Sequence, residues 1–171
     1  MKSTCTEPSI HRSGPGLGSP IQVLLIEDDP DAAAYTSAQV SHSQDDIFRV
    51  EWKSNLLNAI SRLGKPGVDV VLLDLGMPEL EGYKTHLAIT SVVGKTVPVV
   101  ILTGDDSIAS QAITKVQGAS NYLIKQRTSP VELRRALYEA VVPVTTSKAS
   151  SDGGSTIGET VSRLVTRMLR K

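Results

Sequence analysis

Four apolar runs punctuate the chain: Val23–Ile26 (VLLI), Val68–Leu73 (VDVVLL), Val97–Leu102 (VPVVIL) and Tyr122–Ile124 (YLI). A fifth, Ile47–Trp52 (IFRVEW), is weaker and alternates apolar with polar positions. Three of the runs are near-continuous and β-branched. That pattern belongs to strands covered on both faces, hence to a parallel sheet between layers of helices. The segments between them carry helix signals. Asp29 stands as an N-cap with Pro30 at the first helical position. Ser54–Leu63, Gly82–Val92 and Ser107–Gln117 follow. Ser129-Pro130 opens the last helix, which carries Val131, Leu133, Leu137 and Val141 on one stripe. Strand and helix alternate five times, which predicts an α/β protein with a doubly wound, five-stranded parallel sheet.

The flanks break this pattern. Residues 1–20 are rich in Gly, Pro and Ser without apolar periodicity and read as a disordered arm. Their GPGLG is no nucleotide loop, because it precedes the first strand instead of following one. The body spans 21–142, and 143–156 (PVTTSKASSDGGST) read as a flexible linker. Residues 157–171 place Val161, Leu164, Val165, Met168 and Leu169 on one face of a short amphipathic helix or frayed tail.

Charge and cysteine content narrow the function. Residues 21–142 hold eleven Lys/Arg against fifteen Asp/Glu, a net of −4, while 143–171 carry +3. A mildly acidic body gives no reason to expect nucleic-acid binding. The single cysteine, Cys5, forms no disulfide within the chain and supports no cysteine metal site. With no apolar run of membrane-span length and no signal-peptide core at the start, a cytoplasmic protein is expected.

The chemistry gathers at the strand ends. The first run ends in Glu27-Asp28-Asp29, the second in Asp74, the third in Thr103 and the last in Lys125. In a parallel sheet these ends share one edge, where open α/β sheets bind their ligands. Carboxylates brought together repel and call for a cation. An all-oxygen donor set without Cys or His favours a hard ion, Mg²⁺ by preference. The lysine suits an anion held by that metal, and phosphate is the natural candidate. A carboxylate beside the metal can act as nucleophile and become an aspartyl-phosphate.

At these residues the chain resembles the receiver domains of response regulators in two-component signalling. Asp74-Leu75-Gly76-Met77-Pro78-Glu79-Leu80-Glu81-Gly82 is similar to their D-x-x-M-P-x-x-x-G acceptor loop. VLLIEDD, PVVILTG and GASNYLIK resemble their first, fourth and fifth strands. The match covers about residues 21–142 and suggests a stand-alone receiver with a short tail. It implies a flavodoxin-like strand order of 2-1-3-4-5. It also implies roles. Asp74 accepts a phosphoryl group from a phosphohistidine donor. Asp28, Asp74 and the backbone carbonyl of Gly76 ligate Mg²⁺, and Glu27 assists through a water. Lys125 holds a phosphoryl oxygen. Thr103 and Tyr122 switch and relay the event to the surface around 107–117, 122–124 and 130–141. The partner is then a sensor histidine kinase or a histidine phosphotransfer protein, with a downstream protein unidentified. A second copy of the chain is a further candidate partner. Such a protein catalyses only its own phosphorylation and dephosphorylation.

Other readings of the same residues stand beside these. Asp29 reads as a helix cap, not a ligand. Glu27 reads equally as a solvated strand end, Thr103 as a cap for the next helix, and Tyr122 as plain core. His11, His42 and His86 sit at no strand end and read as surface residues. Gln126 follows Lys125 where the family usually has proline, so a trans bond is expected there. An aspartate-nucleophile phosphohydrolase of the haloacid-dehalogenase type is the competing enzyme, but it needs a second Asp where Gly76 stands. A scaffold that takes no phosphate is opposed by the complete Asp28, Asp74, Thr103 and Lys125 set. The 29 residues after the body are too few for a helix-turn-helix effector. For them a frayed extension comes first, a docking helix second, and membrane contact through Arg163, Arg167, Arg170 and Lys171 last.

Overall fold

Every predicted strand forms, and each pairs with its neighbour in parallel. The computed structural model describes residues 19–41, 47–78, 83–94, 96–104 and 121–142. In chain order the elements are β1 (Ile21–Ile26), α1 (Pro30–Ser41), β2 (Phe48–Lys53), α2 (Leu56–Leu63) and β3 (Val70–Leu73). Then come α3 (Tyr83–Val93), β4 (Val99–Thr103), β5 (Asn121–Ile124) and α4 (Pro130–Val141). The sheet order is β2-β1-β3-β4-β5, as expected. The predicted helix at 107–117, the linker at 143–156 and the tail at 157–171 lie outside the described residues, as does the arm up to residue 18.

Alternation along the strands sorts side chains into two layers. Ile21, Val23 and Leu25 of β1 face α1 and α4, packing with Ala33, Val40, Leu133, Ala136 and Leu137. Leu24 and Ile26 face the other way, into a layer with Leu56 and Ala59 of α2 and Ile89 and Val93 of α3. Strands β3 and β4 divide in the same manner, Val70, Leu72, Val100 and Leu102 on one side and Val71, Leu73, Val99 and Ile101 on the other. Each aliphatic side chain so enclosed contributes roughly 1.5–3 kcal/mol. Aliphatic residues build nearly all of this core.

Local chemistry sets the helix ends. Asp29 Oδ1 accepts from the N–H groups of Asp31 (2.8 Å) and Ala32 (3.1 Å), which makes Asp29 the cap the sequence predicts. Ser129 and Glu132 form a capping box at α4, with Pro130 as first residue. Helix α2 starts two residues later than Ser54, because the Asn55 side chain accepts from Asn58 N–H at 2.8 Å and is the cap. One predicted stripe is corrected: Val131 is exposed and Val141 half-buried, and the buried face of α4 is Leu133, Ala136, Leu137 and Tyr138. Val131 precedes Leu133 by two residues and so sits about 200° around the helix from it.

Candidate functional site

The register of the sheet assembles the site. Ile26 pairs with Leu73, so Glu27 and Asp74 leave neighbouring strands side by side. Thr103 pairs with Ile124, which brings Lys125 to the same edge. Backbone bonds hold these ends: Asp74 N–H donates to the Ile26 carbonyl (3.0 Å), and Lys125 N–H to the Thr103 carbonyl (2.8 Å). The residues that carry the chemistry are thus fixed by strands, not by free loops.

Three carboxylates meet here. Glu27, Asp28 and Asp74 each offer an oxygen, and the three oxygens lie within 4.8 Å of one another. Glu27 is 2% exposed and Asp74 7%, whereas Asp28 is open to solvent. The Lys125 ammonium bridges the two buried ones, at 2.5 Å from Glu27 Oε2 and 3.1 Å from Asp74 Oδ2. With all three ionised, one cation against three carboxylates leaves an excess of two negative charges, which a divalent cation would offset. The donors are all hard oxygens, so the set fits Mg²⁺. Gly76 donates its N–H to Asp74 Oδ1 at 3.1 Å. A Cβ at Gly76 would lie only 3.1 Å from Asp74 Oδ2, so a side chain there would crowd the carboxylate.

The electrostatics follow from burial. Loss of water pushes the Glu27 carboxyl up to about 7, with the Asp74 charge adding to the rise and Lys125 opposing it. Burial works against the charge on Lys125, yet its bonds to Glu27 and Asp74 outweigh that and raise it. The ammonium therefore stays charged through neutral pH.

Thr103 is buried at the end of β4, and Tyr122 is half-buried against the layer that holds α3. The Lys125–Gln126 bond is trans, as no cis peptide occurs among the described residues. Three features escape sequence reading. The Glu27–Lys125 pair links residues 98 apart, so no local signal announces it. Trp52 donates its indole N–H to the Glu27 carbonyl at 2.8 Å and anchors the backbone of that residue. His86, expected at the surface, is 0% exposed in α3. It shares the inner face with Ile89 and Val93, at helical spacings of three and seven. His11 and His42 lie outside the described residues.

A doubly wound parallel sheet with an acidic cluster and one lysine at its carboxyl edge defines a class of small α/β signalling domains. The response regulator receiver domain model matches residues 23–138, and the chain belongs to that family, within two-component signalling. It is 31% identical over 118 residues to the transcriptional regulatory protein TrcR of Mycobacterium tuberculosis, covering 69% of this chain and 43% of that one. It is 30% identical over 105 residues to protein PilH of Pseudomonas aeruginosa, covering 61% and 84%. Among solved structures it resembles a response regulator signal receiver domain from Bermanella marisrubri, with 25% identity and a TM-score of 0.59 over 72% of this chain and 99% of that one. The chain spans about half or less of the length of several curated relatives it matches. Among the described residues no helix is long and apolar enough to cross a membrane.

Proposed function

We propose that this receiver domain is a phosphorylatable switch whose acceptor is Asp74. The observation that carries the reading is the Glu27–Asp28–Asp74 cluster, with Lys125 on the Asp74 carboxylate. Asp74 Oδ attacks the phosphorus of a phosphohistidine. The P–N bond breaks, a P–O bond forms, and the imidazole leaves with its electron pair. Asp28 and Asp74, with the Gly76 carbonyl, would hold Mg²⁺, and Glu27 would act through a water. The ion supplies charge neutralisation at the transferring group. Lys125 then moves from the Asp74 carboxylate to a phosphoryl oxygen, at little cost because both positions are anionic. Thr103 donates its hydroxyl to the same group, and Tyr122 follows it into the space that is vacated.

The chemistry is confined to the chain's own aspartate. The donor is a sensor histidine kinase or a histidine phosphotransfer protein, the setting is the cytoplasm, and the output is a protein contact. Intact-protein mass after incubation with acetyl phosphate and Mg²⁺ tests this. One added phosphoryl group is expected, lost in Asp74→Asn and without metal. No adduct with several donors, a phosphorylated histidine kinase among them, would sink the acceptor reading in favour of a scaffold.

A further inference from the structure

His86 is fully buried, and neither ring nitrogen has a hydrogen-bond partner. An imidazole always carries at least one N–H donor and, when neutral, one acceptor. Burying both unmatched is costly, and burying the imidazolium would be far more so. The surroundings explain why no partner comes. The layer around α3 is built from Leu24 and Ile26 of β1, Leu56 and Ala59 of α2, Val71 and Leu73 of β3, and Val99 and Ile101 of β4, with Tyr122 of β5, the titratable residue of that strand, packed against it. Strands β1, β3 and β4 carry no titratable residue within their length. The one charged residue of α2, Arg62, is tied to Glu51 at 2.7 Å and to the carbonyls of 65–67. Glu27 and Asp74, beyond the ends of β1 and β3, are both bound to Lys125. Lys84 on α3 itself is exposed. Among the described residues, then, no counter-charge faces the ring.

The same layer contains Leu75 and Met77 of the loop that follows Asp74. Ile89 and Val93, on the same face of α3 as His86, therefore pack in the layer that supports the acceptor loop. We propose that His86 makes this layer acid-labile: proton uptake on the buried ring forces α3 to open and loosens the loop beside Asp74.

The sign is fixed by linkage. Burial lowers the tendency of His86 to bind a proton below the ordinary value of 6.5. The unfolded or opened chain binds that proton first, so stability is full above pH 6.5 and is lost as pH falls below it. While the native ring stays neutral, the ratio of closed to open chain drops about tenfold per pH unit. Any effect on phosphoryl acceptance rests on the proposed role of Asp74, whereas the effect on stability does not.

The test compares wild type with His86→Leu between pH 5 and 8 in thermal unfolding of the full chain. Leucine removes the proton site and keeps an apolar body. The advantage of the variant should be constant above pH 6.5 and widen below it. Curves that stay parallel would overturn the proposal. Should the variant fail to fold, ring titration of the wild type by NMR decides. His86 should remain neutral well below pH 6.5, and ordinary titration would overturn the idea. Phosphorylation by acetyl phosphate should fall more steeply toward pH 5.5 in wild type than in the variant. An equal fall in both, with stability curves that diverge, would overturn the link to the loop while leaving the acid-labile layer standing. No adduct at any pH would instead count against the acceptor role of Asp74.

Discussion

Among the described residues, the carboxylates of the sheet edge and the ring of His86 are both buried, and they are handled in opposite ways. At the sheet edge Glu27 and Asp74 are withdrawn from water, yet each rests on the Lys125 ammonium. Beneath α3 the His86 ring is withdrawn just as completely and rests on nothing. Burial alone therefore does not set the energetic consequence; the partner does. The first arrangement keeps buried charge matched by a partner. The second holds its side chain neutral and makes the fold responsive to protons.

The largest expected break in this comparison is Lys125→Met. It strands two buried carboxylates together and should destabilise the fold by about 3 kcal/mol near pH 8. Urea unfolding would report it, and the loss should shrink at pH 6 as a carboxyl protonates. A variant as stable as wild type at pH 8 would mean that the pair is already relaxed by water. Next is His86→Leu, which removes unmatched polar atoms from an apolar layer. It should stabilise by about 1–2 kcal/mol at neutral pH, read from the urea midpoint. Ser129→Ala serves as the exposed reference, where a polar group is satisfied by its own helix. Loss of that cap should cost about 1 kcal/mol, with no change in phosphoryl acceptance.

The smallest effect is one of slope. Glu27 holds its proton to about pH 7 in the folded chain, against 4.5 when unfolded. Between those values the folded state binds the extra proton, so this group makes stability fall as pH rises. His86 does the reverse below 6.5. The two slopes oppose each other over much of the same window and flatten the wild-type profile. Glu27→Gln should unmask a stability that rises with pH between 5 and 6.5, while His86→Leu should unmask one that falls. Profiles unchanged by either substitution would dissolve the contrast between the two sites.

How much of this was legible beforehand depends on the range of the interaction. The five strands are readable because β-branched runs such as Val70–Leu73 need cover on both faces, whereas their order comes only from the family resemblance. The caps at Asp29 and Ser129 were readable because a cap is a matter of two or three residues. The acidic edge was readable because strand ends converge whatever lies between them. The stripe predicted for α4 fails at Val131, which lies two residues from Leu133 and so on the opposite side of the helix. His86 was misread for a related reason. Its place on the inner face of α3 follows from Ile89 and Val93, and a polar residue on an otherwise apolar stripe reads first as a break in that stripe. The Glu27–Lys125 pair and the Trp52 anchor depend on register across the sheet, which no short window of sequence contains.

Trp52 has one more consequence. It is the single tryptophan of the chain, 41% exposed, with its indole N–H bonded to the backbone of a residue in the acidic cluster. Indole emission responds to nearby charge and to the loss of a hydrogen bond. The protein thus carries its own optical reporter at the edge where a cation or a phosphoryl group would arrive. Its colour and intensity offer a label-free signal for following events at that edge in real time.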